Sequence, residues 1–585
     1  MTGAISSDKT TGRTVLLAWL ILSAILTITA ASRIMSGQLP DPDDALRLVQ
    51  VRDLIGGQGW FDMVQYRIDP PTGTPMHWSR LVDIPLLTVT LLLGEGAALV
   101  IVPLLTLGAV LWCVGKLAAR LCGGEVVLFA CLVCGFIPAL LMQLQPMRID
   151  HHGWQVASVA LAMLAIAGSH ARGGAALAGA AMAFGMSVSL ELLPIAAILA
   201  AVLAARWWRK PHAAIWLITY LQVLAIGLVV LFLATRGTGA PSAWCDAVSP
   251  PQLVFFAVIA LGATGLAATK PTRAVIAAGL ALTGLAGVGA LALIAPQCLA
   301  PPFAGLDPLV RDYWYVHIAE GQPLWQRPAA EFLPAMVQMV AALAACAMLW
   351  RQSTGAARVW WAEHAAVLLG ALVLGLLVSR SLAFAAVIAA VPLGWLAVRL
   401  LGRMRAASGL GLRGAAALMI VLVLVPSAPV TVANQLSPAV SVSRPASVAS
   451  AACDVRDRAA SLRILPRGVV FAPLDMGPAI LLETRHAVVA TSHHRAEAAM
   501  ADVIRAFIAP PDHARAVVAS HGADYLALCT DLAEPALYAA RHPEGLAALL
   551  ASDSGPNWLE PVDALSTPEF RVYRVRLDET PSPPR

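Results

Sequence analysis

The sequence predicts a polytopic α-helical membrane protein of about thirteen spans with a C-terminal α/β domain on the non-cytoplasmic side. Three observations predict it. Of 585 residues, 58% are hydrophobic and 13% charged, and mean hydropathy is +0.73, whereas soluble globular chains average about 45–50% apolar and about 25% charged residues. That excess is too large for one buried core, so most of the chain must use lipid as its solvent. Apolar runs of membrane-spanning length recur up to residue 433, and Lys and Arg gather in every second loop between them.

The runs are 14–34, 95–119, 124–144, 153–169, 173–190, 192–206, 212–234, 251–269, 272–295, 331–350, 359–378, 381–398 and 414–433. The first is too long for a signal peptide, and Ser32-Arg33-Ile34 after it is a poor cleavage site, so it reads as a span. Residues 84–94 are also apolar, but Gly94-Glu95-Gly96 sets them off as an interfacial piece. With Lys9 and Arg13 in the cytoplasm, the cytoplasmic turns hold Lys116 and Arg120, then Arg172, then Arg206, Arg209 and Lys210. They continue with Lys270 and Arg273, Arg351 and Arg358, and Arg399, Arg403, Arg405 and Arg413. The opposite face receives the loops 35–83, 145–152, 235–250 and 296–330 and everything after 434. The expected division is a membrane domain, 1–433, and an extracytoplasmic domain, 434–585. The expected location is a bacterial inner membrane, with the C-terminal domain periplasmic. The net charge of +5 sits in short topological loops, which gives no reason to expect a nucleic-acid partner.

After 434 the composition changes. Gly468-Val469-Val470-Phe471, Ala487-Val488-Val489-Ala490 and Tyr525-Leu526-Ala527-Leu528 read as strands between helical stretches 495–508 and 512–520. About 150 residues suffice for an independent core. The tail Pro581-Ser582-Pro583-Pro584 reads as disordered, and no internal repeat is present. Cys245, Cys298, Cys453 and Cys529 fall on the oxidising side; Cys453 and Cys529 could pair or stay as buried thiols. Cys131 and Cys134 have redox-motif spacing but lie inside an apolar run, which speaks against that role.

Four external segments carry chemistry. In Asp41-Pro42-Asp43-Asp44-Ala45-Leu46-Arg47, three clustered carboxylates suit a divalent cation, or Asp41 caps the helix that follows. In Arg148-Ile149-Asp150-His151-His152-Gly153, Asp150 and His152 offer oxygen and nitrogen ligands suited to Mn²⁺, or Asp150 is a helix cap. His317-Ile318-Ala319-Glu320-Gly321-Gln322-Pro323 lies in a loop with Trp314, Tyr315 and Trp325, aromatics that equally suit a membrane interface. Arg380, at the outer junction of two spans, runs against the positive-inside bias and is a candidate for binding phosphate. Glu191, also in apolar surroundings, reads as a structural partner.

In order and spacing these segments resemble the catalytic subunit of oligosaccharyltransferase and, more broadly, the GT-C glycosyltransferases. Asp41-Pro42 with Arg47 matches the Asp-Pro motif after the first helix, and Asp150-His151-His152-Gly153 matches the second acidic motif. His317 to Pro323 is close to the fifth external loop motif, and Arg380 is similar in place to the Arg that contacts donor phosphates. Two departures stand out. His152 replaces the usual second carboxylate, and the sequon-reading Trp-Trp-Asp-Tyr-Gly is only echoed by Leu474-Asp475-Met476-Gly477. A sequon peptide acceptor is therefore not supported.

The resemblance implies transfer of a sugar or oligosaccharide from a polyprenyl-phosphate or pyrophosphate donor to an acceptor of unknown class (glycan, lipid or protein). It implies a divalent metal, Mn²⁺ or Mg²⁺, held by Asp150, His152 and Glu320 with Asp41. Arg380 and Arg47 would bind donor phosphate, and Asp41, Asp43 and Glu320 would be catalytic. No phosphate-cradling Gly-rich loop lies on the cytoplasmic side, which fits a donor that needs no nucleotide. A glycolipid transporter or flippase could use the same charged loops, but such proteins place charges at the midplane and show repeats. A scaffold without catalysis is the third reading.

Overall fold

The computed structural model describes residues 8–239, 243–301, 303–426, 428 and 453–576. The expected disordered tail at 581–584 and the 433/434 boundary lie outside them. The chain divides into two compact units: Met1–Gly37 with Trp78–Pro302 and Glu320–Leu436, and Gln38–His77 with Phe303–Ala319 and Ser437–Arg585. The first is the membrane unit. The second joins the C-terminal region to pieces of the loops 35–83 and 296–330.

Each apolar run of the membrane unit carries a helix among the described residues. Nine helices among the described residues are long and apolar enough to cross a membrane: Lys9–Thr29, Glu95–Cys122, Leu190–Arg209, Pro211–Arg236, Pro250–Ala268, Arg273–Ile294, Ala329–Gln352, Gly355–Leu377 and Ser379–Ala406. The run 124–144 is a broken span, Gly124–Cys134 and Pro138–Leu144, bent by 74°. Pro138 causes the break: it lacks a donor to continue the first helix and holds Ile137 in extended backbone. His152–Ile166 and Leu410–Leu424 are shorter apolar helices, and Ala171–Val188 is helical as well.

Ser379–Ala406 is the axis of this unit, with 83% of its apolar window buried against 11% for Arg273–Ile294. Small residues permit that burial: a Cβ on Gly394 would lie 2.5 Å from the Ala130 backbone, the close helix approach that membrane bundles use. Charge separates to the two ends of the bundle. At one end Arg206 and Arg209 converge on Glu363, while Arg120 and Arg206 donate to the carbonyls of Leu164 and Ile166. His152–Ile166 begins at the opposite end, in the turn that carries Asp150.

The second unit contains a hairpin, β1 (Val64–Gln65) with β2 (Thr74–Pro75). Its five-stranded sheet is formed by β3 (Val469–Phe471), β4 (Ala487–Val488), β5 (Tyr525–Cys529), β6 (Leu559–Pro561) and β7 (Phe570–Val575), in the order β4-β3-β5-β7-β6. β3 pairs in parallel with β4 and β5, while β7 runs antiparallel to β5 and β6. All five residues of β5 are buried, as a central strand covered on both faces requires. The helices Glu497–Ile508 and Pro511–Ser520 occupy the stretches expected for them. The loop piece 67–69 runs beside β4, with Val488 N donating to Arg67 O at 2.8 Å and Asp69 N to Val488 O at 3.0 Å. Disulfides join Cys453 to Cys529 in this unit and Cys245 to Cys298 in the membrane unit. Cys113, Cys122, Cys131, Cys134 and Cys346 are free.

Candidate functional site

Four segments of the membrane unit place their polar side chains together. The broken span delivers the chain into the turn 145–151, where Met147 adopts a positive φ of 73° and its N–H bonds Leu99 O at 2.8 Å. Gly153 permits the exit, because a Cβ there would lie 2.8 Å from Gln143 O. The helix starting at His152 has His151 at its N-cap, with no side-chain cap bond. The N-cap residue is therefore His151 and not Asp150. One oxygen of the Asp150 carboxylate accepts from His151 Nδ1, the other accepts from His152 Nδ1 at 2.6 Å, and Arg148 Nη2 stands 3.6 Å from that second oxygen. Burial alone would raise the Asp150 carboxyl, but the two imidazoles outweigh it and hold the group well below the usual carboxylate range. The two rings stack at 4.1 Å.

His152 Nε2 is buried and has no hydrogen-bond partner among the described residues. It faces Glu191 Oε2 at 3.8 Å. Glu191 lies in a single 3₁₀ turn, Leu190–Leu192, capped by Ser189, at the head of the next span. Its other oxygen is paired with Arg380 Nη2, and Arg380 Nη1 donates to Glu320 Oε1 at 3.1 Å. Backbone contacts fix that last pair: Ser379 Oγ donates to Glu320 O at 2.9 Å, and Ser379 N donates to Gln322 O at 3.0 Å. The result is a continuous chain of charge, Asp150–His152–Glu191–Arg380–Glu320.

Of the residues expected from sequence, Asp150, His152, Glu320 and Arg380 are thus in one cluster. Glu191 was expected to be structural; its acidity in an apolar run was the available signal. The ligand atoms of Asp150, His151 and His152 all lie within 4.8 Å of one another, close enough to share an ion.

Asp41, Asp43 and Arg47 lie in the second unit. Asp41 is the N-cap of Pro42–Ile55, accepting from Asp43 N at 3.0 Å with Pro42 at the first helical position. Asp43 Oδ1 is 3.2 Å from His493 Nε2, and His493 Nδ1 is 2.9 Å from Thr491 Oγ1. Arg47 is fully buried. The Leu474-Asp475-Met476-Gly477 turn is held by Glu534, which accepts from Leu474 N at 2.8 Å and from Asp475 N at 3.0 Å. Burial and then the Asp475 charge push the Glu534 carboxyl up to about 7.

No protein-family profile matches this sequence, and no curated protein matches it. Solved structures match it in fold. The archaeal oligosaccharyltransferase AglB of Archaeoglobus fulgidus, with an inhibitory peptide and a dolichol-phosphate, matches at TM-score 0.66 and 13% identity, over 97% of this chain and 75% of that one. An Archaeoglobus fulgidus oligosaccharyltransferase in the apo form matches at 0.65 and 14% identity, over 90% of this chain and 70% of that one. A form with Zn and sulfate matches at 0.60 and 13%, over 88% and 68%. At this identity the likeness is one of fold: the chain shares the fold of these solved structures.

Proposed function

We propose that the protein is a membrane glycosyltransferase that moves a sugar from a polyprenyl-phosphate or pyrophosphate donor to an acceptor on the non-cytoplasmic face. The observation that carries the reading is Arg380, held between Glu191 and Glu320 next to a buried, unsatisfied imidazole nitrogen. In the reaction the acceptor nucleophile attacks the anomeric carbon, the bond to the phosphate oxygen breaks, and negative charge grows on the departing phosphate. A guanidinium fixed by two carboxylates is already oriented to meet that charge. The acceptor's proton goes to a carboxylate.

The residues fit a divalent metal. Both Asp150 oxygens are engaged by imidazole Nδ1 atoms, the carboxylate–histidine arrangement that orients a metal-ligating His. That leaves His152 Nε2, Glu191 and Glu320 to hold the ion, with Asp150 as the orienting group or as a further ligand. A bound Mn²⁺ or Mg²⁺ would supply Lewis-acid stabilisation of the leaving phosphate. The two disulfides support the orientation, since they need an oxidising compartment, and the cysteines they use all lie in the segments assigned to that side.

The test uses purified protein in lipid, offered polyprenyl-linked sugars with Mn²⁺, Mg²⁺ or chelator. Metal-dependent release of free lipid phosphate, lost in Asp150→Ala and Glu320→Ala, is the expected result. Tight donor binding without release across a broad panel would point to a transporter instead.

A further inference from the structure

A second concentration of positive charge lies wholly within the second unit. Arg52, Arg67, Arg467 and Arg485 line one cavity of about 280 Å³, floored by the segment Leu481 to Thr484. That volume is near the lower edge of the ~300–1,000 Å³ of small-ligand sites. Local structure fixes two of the four. Arg67 is held at the sheet edge by the 67–69 pairing with β4. Its Nη1 donates to Leu481 O at 2.9 Å, Thr484 O at 3.1 Å and His486 O at 3.4 Å. Arg52 Nη1 donates to Leu482 O at 2.7 Å. Both thereby cap the C-terminal end of the helix Gly477–Glu483, a structural role that needs no further arginine.

Arg467 and Arg485 have no such role. Both are exposed, and neither has a hydrogen bond or ion pair among the described residues. Glu483 and Asp53 do not together neutralise Arg67, Arg467 and Arg485. Glu483 already carries Arg456 and Arg463. Asp53 accepts from Gln65 Nε2 at 2.7 Å, and its charge also acts on Arg67. Burial and the like charges of Arg467 and Arg52 lower the Arg67 guanidinium, with Asp53 opposing them. Four guanidinium groups around one cavity repel one another unless an anion joins them. Three of Arg67's bonds leave from one nitrogen, so its Nε and Nη2 have no protein partner among the described residues.

We propose that this cavity is an anion site for a phosphate-bearing ligand, its oxygens taking the free guanidinium donors of Arg67, Arg467 and Arg485. Planar guanidinium forks match phosphate geometry in a way that lysines do not, and all four cations here are arginines. The phosphate can belong to a lipid headgroup or to a soluble molecule.

The experiment titrates inorganic pyrophosphate into full-length protein in zwitterionic nanodiscs by calorimetry. A parallel arm uses native mass spectrometry to count phosphatidylglycerol retained from nanodiscs that contain it. The variants are Arg467→Ala/Arg485→Ala, whose exposed side chains hold nothing in the fold, and Arg380→Ala, which removes the phosphate ligand proposed for the membrane unit. The expected result is saturable binding that survives Arg380→Ala and weakens about tenfold or more in the double variant, since two charged hydrogen-bonding groups are lost. Weakening in the pyrophosphate arm identifies a soluble phosphate, and loss of retained phosphatidylglycerol identifies a headgroup. Wild-type protein that binds neither probe, or a double variant that binds both as well as wild type, would overturn the proposal. Because Arg380 is varied separately, failure here leaves the glycosyltransferase reading to its own test.

Discussion

Replacing Arg380 by lysine keeps the charge and removes the fork, while replacing it by alanine removes both. The guanidinium reaches Glu320 through Nη1 at 3.1 Å and Glu191 through Nη2, a bridge between two carboxylates that one ammonium group cannot span equally. If this fork meets the leaving phosphate, it acts mainly where charge has developed, in the transition state. Removing one preorganised donor of that kind costs about 10²–10³ in kcat. Arg380→Ala should therefore lower the rate of donor release by that factor with KM little changed, and Arg380→Lys by about ten- to a hundredfold. The three side chains are 22%, 27% and 31% exposed, so a stability measurement is needed beside the rate to separate lost catalysis from lost fold. The assay is single-turnover release of polyprenyl phosphate, alongside a thermal midpoint for each variant. Arg380→Ala releasing donor within a few-fold of wild type, with an unchanged thermal midpoint, would refute the assignment of Arg380 to the phosphate.

Other perturbations test separate parts of the account. Asp150→Asn keeps the shape beside the two imidazoles but loses the charge that orients them, so the Mn²⁺ concentration needed for half-maximal Mn²⁺ binding should rise about 10–100-fold, read by electron paramagnetic resonance; an unchanged titration argues against the orienting role. Glu534 has a folded-state pKa of about 7, above the ~4.3 of an unfolded chain. The stability linked to its protonation is present below ~4.3 and is lost as pH rises through about 7. Glu534→Gln cannot ionise and should gain stability over wild type between pH 5 and pH 8; an equal difference at both pH values sinks that linkage. Gly394→Leu must displace the Ala130 backbone, which lies 2.5 Å from its Cβ, and should lower the yield of folded protein sharply; normal yield would mean that the two helices can part without cost. Replacing Cys453 and Cys529 by serine opens a link across 76 residues and should cost ~2–4 kcal/mol of stability in the second unit, measured by denaturant unfolding.

The residues legible in the sequence were those whose signal is local. Each apolar run announced a helix through composition alone, and Val469–Phe471, Ala487–Val488 and Tyr525–Cys529 announced strands as short β-rich runs between helical stretches. Asp150, His152, Glu320 and Arg380 stood out because a polar group at a span end is costly unless it is used. Glu191 was visible but could not be assigned: its role depends on Arg380 lying 189 positions away in the chain, and no period in the sequence encodes that meeting. The same holds for 67–69 beside Val488, a long-range strand pairing set by tertiary packing. The run 124–144 read as one span, and the break within it was missed, although Pro138 was the available signal. Asp41 shows the opposite case, a local cap that sequence proposed and the backbone displays.

The most direct measurement counts sugar and lipid together. Vesicles of defined lipid containing the protein and a donor labelled in the sugar are given Mn²⁺ or chelator, and polyprenyl phosphate freed per sugar leaving the lipid is measured for wild type and Glu320→Ala. The account predicts one lipid phosphate freed per sugar in wild type, requiring metal, and none in the variant. Intact donor crossing the bilayer at equal rates in both, with no lipid phosphate freed, would contradict it.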